Sequence, residues 1–177
     1  SFELREQQLS FDGKRVVFTN EDMPQHLHLV QADGTGYRQL TTGDERNRQG
    51  SWSPQGDWIA FQTNQGESSL AAIHPDGGAR QPIAVGRGFT NPRWSPDGKA
   101  LLTFNTGIGG MILDLGAGFG SPVKQDLPPV SPGVLFWPIA WSPDGALVAG
   151  TAVTAGQVGD IHVWSVAERA YRRMPWN

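Results

Sequence analysis

Few residues in this chain have the chemistry for catalysis, and their spacing keeps most of them apart. The imidazoles are His26, His28, His74 and His162. His26 and His28 share a strand face at i, i+2, a spacing able to supply two metal ligands. Zinc asks for three or four converging donors, and spacing places no third one beside them. The sequence has no cysteine, so thiolate metal sites and disulfides are excluded. There is no Gly-x-Ser-x-Gly elbow, and Ser53, Ser95 and Ser142 belong to recurring turns. The glycine-rich stretches 107–110 and 116–120 lack the strand-to-helix setting of a phosphate cradle. Asp33-Gly34 and Asp76-Gly77 lack the following acidic ligands of a calcium loop and read as hairpin turns. These residues lead us to expect no catalytic group, no metal and no cofactor.

What the sequence does carry is a repeat. Leu9-Ser10-Phe11-Asp12-Gly13, Trp52-Ser53-Pro54-Gln55-Gly56, Trp94-Ser95-Pro96-Asp97-Gly98 and Trp141-Ser142-Pro143-Asp144-Gly145 share one pattern, each followed by an apolar run. Their glycines, Gly13, Gly56, Gly98 and Gly145, are 43, 42 and 47 residues apart. That period, with several strand-length runs per unit, is the mark of propeller blades. Helical periodicity is missing almost throughout, and runs of strand length recur between Gly, Pro, Asn and Asp. The expected fold is all-β, a propeller of about four four-stranded antiparallel blades. The blades are expected at 3–41, 48–85, 90–127 and 137–176. In these corners the glycine takes positive φ, and where they are present the aspartate bonds back to the backbone and the proline presets the turn. Trp52, Trp94 and Trp141 alternate onto the buried side of the innermost strand, where a flat ring fills the wedge between blades.

These Trp-Ser-Pro-Asp-Gly corners, with their apolar runs and Asp-Gly turns, resemble the repeats of TolB-like propellers over nearly the whole chain. The first unit departs from the pattern, with Leu9 for tryptophan and Phe11 for proline. The resemblance implies innermost strands around a central channel and a role as a binding platform. It favours an extracytoplasmic (periplasmic) bacterial setting, or one beside a catalytic domain; the residues themselves leave the compartment unknown. Peptidases with such propellers carry their triad in a separate hydrolase domain. Propeller lyases acting on acidic sugars use several channel histidines, which this chain lacks. Family members have six to eight blades, so about four leaves three arrangements: a small or open ring, part of a larger propeller, or half of a dimeric eight-bladed ring. The start at Ser1-Phe2-Glu3, without methionine, fits processing or a longer parent protein.

Composition narrows the partners. A net charge of -3 gives no reason to expect nucleic acid, and no apolar run is long enough for membrane insertion. A protein or peptide partner remains, together with self-association that completes the ring. The loops joining one blade to the next share a rim with the second hairpin of each blade, and long loops on a rigid scaffold carry binding. Arginine and aromatic residues dominate interface centres. The rim candidates are therefore Arg46, Arg48, Arg87, Phe89, Arg93, Phe136 and Trp137. The competing reading has Phe89 and Trp137 stapling loops to the core and the arginines solvating the rim. The expected function is a non-catalytic protein- or peptide-binding scaffold; the alternative is an accessory propeller of a larger peptidase, carbohydrate-active enzyme or sensor. A third reading makes Glu6 a channel carboxylate acting on carbohydrate.

Overall fold

The structure is a computed structural model that describes residues 4–65, 67–86, 88–155 and 157–174. Its described residues form sixteen strands, and no helix long and apolar enough to cross a membrane is present among them. The first sheet contains β1 (Leu4–Leu9), β2 (Arg15–Asn20), β3 (Leu27–Gln31) and β4 (Arg38–Gln39). The second contains β5 (Asn47–Trp52), β6 (Ile59–Gln65), β7 (Glu67–Ile73) and β8 (Gln81–Ala84). The third contains β9 (Phe89–Trp94), β10 (Ala100–Asn105), β11 (Gly109–Asp114) and β12 (Val123–Asp126). The fourth contains β13 (Leu135–Trp141), β14 (Leu147–Thr154), β15 (Gln157–Ser165) and β16 (Ala170–Arg173). Every sheet is an antiparallel meander in chain order. Strand pairing extends to Asn64 and Gln65, which pair with Ser68 and Glu67, and to Gln157, which pairs with Thr154.

The repeated corner explains why each meander starts the same way. Ser10, Ser95 and Ser142 donate to Asp12, Asp97 and Asp144 at 2.5, 2.6 and 2.5 Å. Each serine oxygen also accepts a backbone N–H at 2.9 Å, from Arg15, Ala100 and Leu147. The second corner has Gln55 where the others have aspartate, and there Ser53 turns to Asp57 instead, at 2.7 Å. The four corner glycines have φ between 71 and 74°, a region where only glycine is free of Cβ strain.

These short bonds hold Asp12, Asp97 and Asp144 below the ordinary aspartate value; the serine hydroxyl is the largest cause and the following backbone N–H comes next. A carboxylate with a depressed folded pKa contributes stability above its unfolded pKa and loses it as pH falls through the folded one. The melting temperature is therefore expected to drop progressively below about pH 4. In Asp97→Asn that dependence flattens, which a series of thermal melts from pH 7 to 2.5 would read. An Asp97→Asn curve parallel to wild type would refute this assignment.

Three cores lie between consecutive sheets. Trp52, fully buried, sits with Val17, Leu27 and Leu29 of the first sheet and Ile59 and Phe61 of the second. Trp94, 8% exposed, belongs with Ala60, Leu70, Leu101 and Leu113 between the second and third. Leu102, Ile112, Phe136, Val148 and Trp164 join the third to the fourth, with Trp141 half-buried at the edge. Each of these tryptophans also ties its sheet to the one before. Trp52 donates its indole N–H to the Gln8 carbonyl at 3.3 Å, Trp94 to Ser51 at 3.1 Å, and Trp141 to Arg93 at 3.3 Å. Leu9, at the same place in the first sheet, has no such donor.

Among the described residues, strand packing runs from the first sheet to the second, third and fourth, and no comparable packing joins the fourth to the first. The far face of the first sheet carries a stack of Phe18, His28 and Tyr37, with centroids 5.4 and 5.5 Å apart. In the fourth sheet Trp164 is buried toward the third, whereas Ile139, Leu147 and Val158 are exposed. Trp176 lies outside the described residues.

Candidate functional site

The innermost strands β1, β5, β9 and β13 converge on an axial groove, and the way their backbones bend decides what faces it. Glu6, Gln49 and Asn91 each stand three residues before Leu9, Trp52 and Trp94. All three hold left-handed backbone, with φ of 55, 57 and 53°. They sit at the register shifts where β1, β5 and β9 bulge against their neighbours. Left-handed backbone costs an L-residue roughly 1–2 kcal/mol. Hydrogen bonds between blades, about 1 kcal/mol each, offset it. Glu6 Oε2 accepts the Gln49 N–H at 2.8 Å. Gln49 Oε1 accepts the Asn91 N–H at 2.8 Å and the Thr90 hydroxyl at 2.7 Å. In β13 the corresponding residue is Pro138, which has no N–H, so the ladder ends at the third sheet. Glu6 is thus engaged in holding two blades together, a structural use for the carboxylate of the carbohydrate reading.

Two cavities lie along the axis. The larger, about 590 Å³, opens among the repeated corners. Phe11, Pro54, Pro96 and Pro143, the third residue of each repeat, line it together with Ile139, Ala140, Trp141 and parts of Trp52 and Trp94. Its polar lining comes from Gln8, Ser51, Arg93 and Ser142. The smaller, about 110 Å³, is lined by Glu6, Gln7, Gln49, Gly50, Asn91 and Arg93. Arg93 borders both. Burial pushes its guanidinium below the usual value and the Glu6 charge pulls it back up; an arginine stays cationic throughout.

The described rim candidates have different surroundings. Arg46 is exposed before β5, and its carbonyl accepts the Asn64 N–H at 2.9 Å. Arg48 is turned onto Gln62, donating through Nε at 2.9 Å. The same loop is pinned by an ion pair between Glu45 and Arg80. Phe89 is 6% exposed in the second core, with the Lys124 ammonium 5.2 Å from its ring centroid. Phe136 is 1% exposed, its ring 4.9 Å from Tyr171. Trp137 stacks on Phe104 at 4.9 Å and 16°. Arg87 lies outside the described residues. Of the described candidates, Arg93 alone lines the axial cavities. The cavity is also lined by residues that the sequence reading did not single out for binding: Phe11, Pro54, Pro96, Pro143 and Ile139. The signal for four of them was there: one position in a repeat must recur at one rim.

No metal cluster of three or more His, Asp or Glu side chains occurs among the described residues. His26 is half-buried and His28 buried, and desolvation lowers both. His28 Nδ1 meets the Tyr37 hydroxyl at 2.9 Å.

Among solved structures, TolB from Acinetobacter baumannii superposes with a TM-score of 0.71 at 19% identity, over 97% of this chain and 43% of that one. The fold is the TolB β-propeller. By sequence, this TolB-like chain is 34% identical over 103 residues to dipeptidyl-peptidase 5 of Porphyromonas endodontalis, covering 53% of this chain. It is 29% identical over 114 residues to the uncharacterized peptidase YuxL of Bacillus subtilis, covering 58% of this chain. The chain spans only 15% and 17% of the length of those two relatives. No protein-family model matches it.

Proposed function

We propose that this TolB-like propeller is a non-catalytic binding platform and that it takes an extended peptide at the axial groove. The observation that carries this reading is the 590 Å³ cavity, walled by the same repeat position from all four sheets and by Ile139. Ligand sites are concave, mostly apolar, with a few placed polar groups, and this volume falls in their range. Ile139 is 48% exposed, so a change there alters the groove with little effect on the core. Ile139→Asp is expected to weaken peptide binding at least tenfold in a fluorescence titration, with a thermal melt within a few degrees of wild type. Undiminished binding by that variant would move the site elsewhere, the loop rim with Arg46 and Arg48 being the next place to test.

A second reading is favoured by the peptidase relatives: the chain is the accessory propeller of a larger peptidase. On that reading a hydrolase domain outside these residues performs the cleavage, and the groove receives the substrate's flanking residues. The two readings agree that the chain alone does not hydrolyse peptides. Turnover of a dipeptidyl chromogenic substrate by the purified chain would overturn both. A periplasmic setting, resting on the TolB likeness, and self-association, resting on the unpacked first and fourth sheets, are part of the proposal.

A further inference from the structure

We infer that the axial groove recognises a free peptide C-terminus ending in apolar residues, with the Arg93 guanidinium as the carboxylate anchor. The inference rests on the peptide-binding reading and names which end of the peptide enters.

Arg93 precedes Trp94 on β9 and borders both axial cavities. Among the described residues no carboxylate reaches ion-pair distance of its guanidinium. The counter-charge acting on it is Glu6 on β1, whose effect on Arg93 is smaller than that of burial. The Glu6 Oε2 oxygen is already taken by the Gln49 N–H at 2.8 Å and lies 3.4 Å from the Thr19 hydroxyl. A half-buried cation that has lost water without gaining a partner favours an incoming anion. A guanidinium binds a carboxylate in a two-pronged geometry that other cations cannot copy.

The surroundings restrict that anion. At the position Arg93 holds in the third blade, the other blades have Gln8, Ser51 and Ala140, all uncharged. One cation among four equivalent places suits a single carboxylate and not a polyanion, which needs several basic contacts. Above Arg93 the wall is apolar: Phe11, Ile139, Trp141 and the three corner prolines. A chain end with one carboxylate and apolar last side chains fits both features. A volume near 590 Å³ accommodates about two or three terminal residues, within the size range of small-molecule pockets. The groove opens at the corner rim, which leaves the rest of the peptide an exit.

The test uses fluorescein-labelled peptides ending in leucine and phenylalanine, made as the free acid and as the C-terminal amide, read by anisotropy. Wild type is expected to bind the acid about tenfold more tightly than the amide, a difference of ~1.4 kcal/mol. Arg93→Gln is expected to lose the discrimination while keeping its affinity for the amide, and Arg93→Lys to restore part of it. If wild type binds acid and amide equally while Ile139→Asp loses both, the anchor is wrong and the groove reading stands. If neither peptide binds wild type, the groove reading fails, and the anchor with it.

Discussion

Trp52→Ala is expected to lower the stability of the chain by about 3–5 kcal/mol, the range for removing a large buried aromatic. The indole is fully buried between the first two sheets. It fills the wedge between Val17, Leu27 and Leu29 on one side and Ile59 and Phe61 on the other. Two further ties go with it. The indole N–H to the Gln8 carbonyl is lost, as is the ring face under the Arg15 guanidinium, 4.6 Å from its centroid. The Gln8 side chain still accepts the residue-52 backbone N–H at 2.7 Å, so the blades keep one hinge but no filler. Neighbouring sheets are too stiff to close a gap of this size, since each is held by its own ladder. Trp141→Ala is the control: that ring is half-buried against the axial cavity and its removal should cost less than half as much. Urea titration followed by circular dichroism would measure both. A Trp52→Ala loss under ~1 kcal/mol would mean that the ring is not the wedge between blades.

Gly150→Ala should also be severely destabilising, for the opposite reason. Gly150 lies in β14 and pairs with Pro138 and His162. A Cβ placed there would be 2.4 Å from the Trp137 carbonyl oxygen and 2.6 and 2.7 Å from the Phe136 ring. Neither neighbour can move cheaply: one is backbone of the adjacent strand, and the other is a ring 1% exposed in the third core. Overpacking of this kind costs about 1–3 kcal/mol, and a backbone obstacle puts it at the upper end. Gly159→Ala, with its nearest neighbour at 3.3 Å, should be nearly neutral by comparison. Equal urea midpoints for the two variants would show that β13 and β14 yield more easily than this packing allows.

Much of the fold was legible because its cause is local. Hydroxyl, carboxylate and glycine within four consecutive residues make the same corner wherever they occur, so spacing alone located four meanders. Leu9 and Phe11 blurred the first one without hiding it. The second corner shows the limit: Gln55 breaks the pattern, yet Asp57 restores the bond to Ser53 from a position the motif does not include. Phe89 and Phe136 could not be placed, because an aromatic at the start of an inner strand points to solvent or core according to where the bulge falls.

The amino-acid order by itself determined the strands, the corners and the burial of Trp52 and Trp94, since alternation and turn chemistry act within a few residues. Only the tertiary structure decided what faces the axis. Glu6 and Gln49 take left-handed backbone where the next blade supplies an N–H or hydroxyl to their side chains, and Asn91 where its own N–H reaches back to Gln49. Arg93 reaches both cavities because β9 bulges just before it. Those outcomes depend on how neighbouring sheets wedge together, an interaction between residues some forty positions apart that no short window of sequence contains.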